Sequence, residues 1–577
     1  MDASTMISAM RRLACNRAQA LICLSVLLLT SSGCTLLFVP VIGPRPPVPP
    51  TPYVATPLPV IEQIDGPVTV VLEANLPELY AKPLLNRLLQ TSTIDATDGP
   101  QSLTVLDRAE LATTQIFYGT LADDPTHNVI ERYYAVVAPF ATVQDDISRQ
   151  ALLERGQGLA EAPLFVTEDA APLLEALWGT AVGEVVAVAD LLPALETTPD
   201  ALGIIAFDQL DPRFKVLTVD GVNVLDNQLD PATYPLAMGV SVRGMGAAGV
   251  ASILRPAVEP WTNRAADQLT TLLMTGVTAM SRGTAAAMER NGVLYPAQII
   301  SATFAAADIT HISNEIPFLD DCVVNNTLNN LILCSHTSYW ETLEAVGTDI
   351  VGLSGNHVND FGRDGARASL QFYKDNEIPI YGSGLTIEEA CGPLLWEDHG
   401  NTFAFFAFLA YGPSSAWVTE SEPGACYYYD RKEELLEAIR QTAETVDIVA
   451  VELQYEETYF PYPTNNQVIE FRELREAGAE LVTGVQSHVP QAMETYGVDV
   501  VGGPGTIAYG LGNLFFDQMW SWGTRTELYA RHTIYQGRML STEILTGVLE
   551  DFAQPRWTTP AERAELLNSI YAAAPPR

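Results

Sequence analysis

Short apolar runs recur along the chain, separated by stretches whose apolar residues fall every third or fourth position. VTVVLEAN and ALGIIAF read as buried strands, while ELYAKPLLNRLLQ and AAPLLEALWG carry helical spacing. Over residues 66–256 this alternation predicts an α/β layer fold. From residue 269 onward the runs LLMTGVTAMSR, ADITHISNE, TDIVGLSGNHVND, DIVAVELQYEETY, AELVTGVQSH and TIAYGLGNLFFDQ each end in a loop rich in Gly, Asn, His, Glu or Gln, with helical stretches such as KEELLEAIRQTAETV between them. Polar residues gathered at strand ends of an α/β layer fold are where a ligand site usually forms.

The first residues follow a different pattern. Arg11, Arg12 and Arg17 precede an apolar run over 18–29, and Ser31, Ser32 and Gly33 stand before Cys34. That layout predicts a secretory signal over 1–34, whose apolar run is too short for a membrane span. Small residues before a cysteine resemble the bacterial lipoprotein cleavage box, which implies lipidation of Cys34 and membrane attachment. The alternative is an ordinary secretion signal with Cys34 a spare thiol and a secreted product. The proline-rich 35–65 reads as an extended tether.

Charge and cysteine content narrow the setting. The chain has 577 residues with 31 basic and 70 acidic side chains, a formal charge of -39. A nucleic acid backbone would be repelled, so nucleic acid is excluded as a partner. Of seven cysteines, Cys15 and Cys23 leave with the signal and Cys34 is the candidate anchor. Cys322, Cys334, Cys391 and Cys426 remain, and in an oxidising compartment they suggest two bridges, of which Cys322–Cys334 and Cys391–Cys426 are the simplest pairing. A four-thiolate zinc site is the rival, without the short C-x-x-C clips such sites use.

Two segments of the first half, 132–148 and 199–242, resemble pieces of bacterial periplasmic solute-binding domains of the two-lobed class. That resemblance implies a small-solute ligand; an α/β domain used only for packing or spacing is the alternative.

The strand-end loops of the second half hold His311, His357 and His488 with Glu315, Asn356, Asp360, Gln454, Glu457, Gln486, Asn513 and Asp517. Imidazole, carboxylate and carboxamide oxygen suit a divalent metal acting on an oxyanion or carbonyl. Any one of them alone is more often a turn or hydrogen-bonded residue, but successive strands deliver such residues at the same end.

The order of these motifs resembles the CapA-like family, linked with capsule and poly-γ-glutamate export and related to calcineurin-type metallophosphatases. The matching pieces run from about 269 to 517: TGVTAMSR with Arg282, SNEIP with Glu315, GNHVNDFG with Asn356, His357, Asp360 and Gly362, QYEETY followed by Pro463, Thr464 and Gln467, GVQSH with His488, and LGNLFFDQ with Asn513 and Asp517. The resemblance implies a four-layer α-β-β-α sandwich over 269–577, preceded by the two-lobed domain over 66–256. It also shows departures: Val277 stands at the family's early aspartate, Ser313 at an asparagine, and Gln454 and Gln486 at histidines. A two-metal centre therefore ranks lowest. One divalent ion (Mn, Zn or Fe) held by Glu315, Asn356, His357 and His488 is one expectation, with His357, His488, Asp360 and Arg282 as catalytic groups. The other is a metal-free polar site in which Arg282, Gln454 and Gln486 bind a sugar, phosphate or peptide. If ITHISNE stays extended, His311 shares a face with Glu315. Two functions follow: a hydrolase or transferase acting on a cell-envelope polymer, or a non-catalytic lipoprotein that binds a polymer or small solute.

Overall fold

The computed structural model describes residues 66–577 apart from 96–98, 124–126, 328 and 577. The expected signal, the tether and Cys34 lie outside the described residues, which all fall in one compact unit, Pro46–Arg577.

The first half builds an 11-stranded sheet. Strands Gln101–Val105, Val68–Leu72 and Thr114–Thr120 form one parallel group, and Leu202–Ala206, Leu164–Thr167 and Glu184–Val186 another. Two antiparallel strands between them, Ala237–Gly244 and Asn128–Pro139, join the groups into one sheet. Residues 128–138 of that long strand are almost all buried, which accounts for the uninterrupted apolar run YYAVVA.

The second half is a sandwich of a 9-stranded and a 6-stranded sheet. Alternation along Asn401–Leu409 shows how the layers form. Phe403, Phe405 and Ala407 enter the core between the sheets with Leu272, Ile309, Ile350 and Leu481. Ala404, Phe406 and Phe408 face outward against Leu435, Ile439, Phe471 and Leu474 of helices Lys432–Ala443 and Asn465–Glu476. On the other side Leu273, Ile312 and Val351 pack against Met288, Leu343 and Leu370. Helices thus cover both outer faces, giving the expected α-β-β-α order. Each large apolar side chain so buried contributes about 1.5–3 kcal/mol.

The halves share a packed seam. Phe207 meets Tyr535 edge-on with centroids 5.3 Å apart, and Arg563 reaches back to Asp145 at 2.6 Å. Both expected disulfides are present, Cys322–Cys334 and Cys391–Cys426.

Candidate functional site

Strands Ile309–Asn314, Ile350–Gly352, Ile448–Gln454 and Leu481–Val485 run parallel to a neighbour in their sheets, so their carboxyl ends deliver loops to one edge of the sandwich. Glu315 follows the first strand, residues 354–360 the second, Gln454 ends the third, and residues 486–488 follow the fourth. Arg282, Gln486, His488 and Phe515 all have left-handed backbone, with φ of 44°, 86°, 49° and 53°. Such conformations are costly away from glycine and concentrate where a fold over-determines a site.

His357 is held by two carboxylates. Its Nδ1 donates to Asp360 Oδ2 at 2.7 Å, and the same oxygen accepts the Leu333 N–H at 2.7 Å. The ring's Nε2 faces Glu315 Oε1 at 3.8 Å. Burial alone would push the His357 pKa down, but the Asp360 hydrogen bond and the Glu315 and Asp360 charges outweigh it and raise it. His488 is oriented by a different partner: Nδ1 donates to Asn513 Oδ1 at 2.8 Å. The Asn513 amide is set by its own donations to the carbonyls of His488 and Thr524. Both imidazoles therefore keep Nε2 unprotonated in their neutral form.

The carboxamides have partners too. Gln454 Nε2 donates to Gln486 Oε1 at 2.8 Å. Arg282 pairs with Asp517 at 2.5 Å, and the other Asp517 oxygen accepts the Gly283 N–H at 2.8 Å. Asp517 thus serves to fix the start of helix Arg282–Asn291. Glu457 accepts from the Tyr459 hydroxyl at the exposed rim.

His311 lies within strand Ile309–Asn314, which Glu315 follows, and it sits deeper. It is wholly buried, with Nε2 3.3 Å from Glu452 Oε2, and Ser354 Oγ donates to the other Glu452 oxygen at 2.5 Å. It tops no loop; it ties one sheet to the other beneath the site. Tyr459 was missed by sequence reasoning, although an aromatic in the QYEETY loop was the available signal. Its ring stacks on His488 with centroids 5.8 Å apart and meets Trp520 at 4.9 Å.

A divalent ion can be tested against the donor atoms. Glu315 Oε2, Asn356 Oδ1 and Gln454 Oε1 are buried and accept no hydrogen bond. These oxygens and the His357 Nε2, 3.8 Å from Glu315 Oε1, are donor types that a single hard or borderline cation takes, but among the described residues Glu315, His357 and His488 do not bring their ligand atoms within 4.8 Å of one another. Val277, buried on the adjacent strand, offers nothing to a second one. A separate group, Asp308, Asp398 and His399, has ligand atoms within 4.8 Å of one another. It sits at the opposite end of strand Ile309–Asn314 from Glu315, and Thr270, Thr271, Asn227 and His399 already engage its carboxylates.

Comparison with known proteins bears on the same region. Residues 271–518 match the family model described as bacterial capsule synthesis protein PGA_cap. The capsule biosynthesis protein CapA of Bacillus anthracis is 23% identical over 305 residues, 52% of this chain and 72% of that protein. The PGA biosynthesis protein CapA of Bacillus subtilis is 23% identical over 256 residues, 44% of this chain and 65% of that protein. Among solved structures, an ABC-type phosphate transport receptor from Vibrio cholerae is 12% identical over 30% of this chain and 85% of its own, with a TM-score of 0.21. The NAD nucleotidase NadN of Haemophilus influenzae is 11% identical over 52% of this chain and 55% of its own, with a TM-score of 0.29. With the ordered strand-end motifs, the matched span of 271–518 makes the second half of this chain similar to the CapA-like proteins of bacterial capsule synthesis.

Proposed function

We propose that this chain is an exported CapA-like protein, held at the membrane through lipidated Cys34, that acts in the synthesis, attachment or export of a cell-envelope or capsule polymer of the poly-γ-glutamate kind. Its reaction is hydrolysis or transfer of an ester, phosphoester or amide bond. The observation that carries this reading is the imidazole of His357 held between Asp360 and Glu315, with three unpartnered oxygens at the same strand ends.

His357, kept basic by Asp360, holds or delivers the proton at Nε2; Asp360 fixes its tautomer. His488, set by Asn513 and covered by Tyr459, presents a second Nε2 to the same edge. Glu315, Asn356, His357 and His488, with Gln454, are the residues that would hold one divalent ion, Mn, Zn or Fe. Such an ion polarises a carbonyl or phosphoryl oxygen. Arg282, already neutralised by Asp517, positions substrate and the helix start. No helix among the described residues is long and apolar enough to cross a membrane, so the membrane contact in this reading is the lipid on Cys34.

A second reading is favoured by the Gln454–Gln486 hydrogen bond, which satisfies two groups at positions where the related family has histidines. In that reading the domain binds polymer, or the first half a small solute, without turnover. Metal analysis and an assay of purified protein on poly-γ-glutamate and peptidoglycan fragments separate the two. Stoichiometric metal with His357-dependent product release supports the enzyme; turnover that persists in both His357→Ala and His488→Ala removes the mechanism.

A further inference from the structure

The rim of the site beside His488 carries aromatic rings that the core does not use. Trp520 is 64% exposed, Tyr462 56% and Phe460 55%, and Tyr459 is exposed as well. Tyr459 and Trp520 meet with centroids 4.9 Å apart and 60° between their planes, so two loops distant in sequence form one corner. His488 lies on its inner side, stacked with the Tyr459 ring. The loop that presents Tyr459 is pinned from below: the wholly buried Gln491 donates through Nε2 to Thr458 Oγ1 and to the Phe460 and Tyr462 carbonyls. The Pro461 carbonyl accepts the Ala492 N–H. Large rings fixed in exposed positions by buried polar anchors mark a contact surface.

Charge decides what these rings would hold. Residues 455–464 and 515–523 contain no Lys, Arg or His, and their charged residues are Glu456, Glu457 and Asp517. Asp517 is taken by Arg282. Glu457 is exposed and accepts from the Tyr459 hydroxyl, and among the described residues no basic side chain pairs with it. The Tyr459 hydroxyl has its pKa raised by burial, then by the Glu457 carboxylate, with the Glu315 charge adding to the rise, so the field at the corner is negative. An anion is repelled there, within a molecule whose formal charge is -39. A neutral sugar would use the rings and leave the carboxylate unanswered. An organic ammonium uses both, since ring faces attract a cation and Glu457 supplies the counter-charge.

We propose that the corner formed by Tyr459, Trp520 and Glu457 is a binding site for an organic ammonium group. The inference rests on the reading of His488 as part of the reacting edge, and it names the chemical class drawn there: a molecule that bears a charged amine, held one ring away from the His488 imidazole.

The test titrates the purified protein with choline and, separately, with its neutral isostere 3,3-dimethylbutan-1-ol, by calorimetry or by indole chemical shifts. Choline is expected to bind about tenfold or more tighter, because only the cation gains from the ring faces and the carboxylate. Trp520→Ala should weaken choline about fivefold, with Trp520→Phe restoring part of the loss. Glu457→Gln should weaken choline and leave the isostere unchanged, and raised salt should act in the same direction. Both side chains are exposed, so melting temperature should stay level in all three variants. Equal binding of the isostere, no saturable binding of choline, indifference to Trp520→Ala, or tighter binding of N,N′-diacetylchitobiose than of choline overturns the proposal. Choline binding that survives in His357→Ala supports the site independently of turnover. Absent choline binding in a protein whose turnover depends on His357 overturns the site and leaves the acid–base reading standing.

Discussion

Gln454 and Gln486, at the ends of two adjacent parallel strands, are hydrogen-bonded to each other through Nε2 and Oε1 at 2.8 Å. Both stand where the CapA-like resemblance places histidines, and each carboxamide gives the other one of its hydrogen bonds. Of the two carboxamide oxygens, Gln454 Oε1 is buried without a hydrogen-bond partner.

That pairing makes metal content a direct readout. The wild-type protein is expected to hold one divalent ion per chain at most, and Gln454→His/Gln486→His should raise the ratio by supplying two imidazole nitrogen donors. Elemental analysis after dialysis against Mn²⁺ or Zn²⁺ measures it; an unchanged ratio in the double variant counts against these positions as ligand sites.

Removal of either imidazole should affect chemistry and leave the fold in place. His357→Ala and His488→Ala are each expected to lower turnover on the envelope polymer by about 10²–10⁴-fold, the usual worth of a positioned acid or base. Circular dichroism and melting temperature should stay near wild type. Asp360→Asn should lower the His357 pKa, read by imidazole NMR, because it removes the carboxylate charge that helps raise it and leaves a weaker, neutral acceptor.

Glu527 predicts how stability varies with pH. It is wholly buried on strand Thr526–Tyr535, and burial pushes its pKa up to about 8 from an ordinary 4.5, against the opposing hydrogen bond from Tyr529. The folded state therefore binds the proton more tightly than the unfolded chain. Its contribution is fully present below pH 4.5 and is lost as pH rises through about 8. Within that window each step up in pH makes folding less favourable, because the unfolded carboxyl ionises and the buried one does not. Denaturant melts of Glu527→Gln should show a flatter pH profile, with the variant more stable than wild type near pH 9. A parallel pair of profiles would contradict the assignment.

The two disulfides should differ in what their loss reveals. Cys391–Cys426 closes 35 residues, so Cys391→Ser/Cys426→Ser is expected to cost roughly 4 kcal/mol in unfolding free energy through loop entropy. Cys322–Cys334 spans 12 and should cost roughly 3 kcal/mol. Its removal should reduce turnover more than stability, because Leu333 in that loop holds Asp360. Chemical denaturation and the polymer assay on both variants separate the effects.

The local pattern by itself determined much of this protein. Apolar runs such as Leu481–Val485 and Leu202–Ala206 are strands because each is short, continuous and buried on both faces. The order of loops after them was enough to identify the CapA-like half and the four-layer arrangement, and cysteine spacing named the two bridges.

Tertiary structure decided what those residues touch. His311 meets Glu452, 141 positions away by the numbering, because two sheets stack there; alternation gives a face, not the partner across it. Gln454 satisfies Gln486, Asp360 serves His357 and Leu333 together, Asp517 is spent on Arg282, and Tyr459 folds over His488. Each of these pairings joins separate loops, and sequence spacing carries no information about the distance between loop ends once strands have been laid side by side. Which residue types could form a site was written in the chain; which of them face one another was settled by packing.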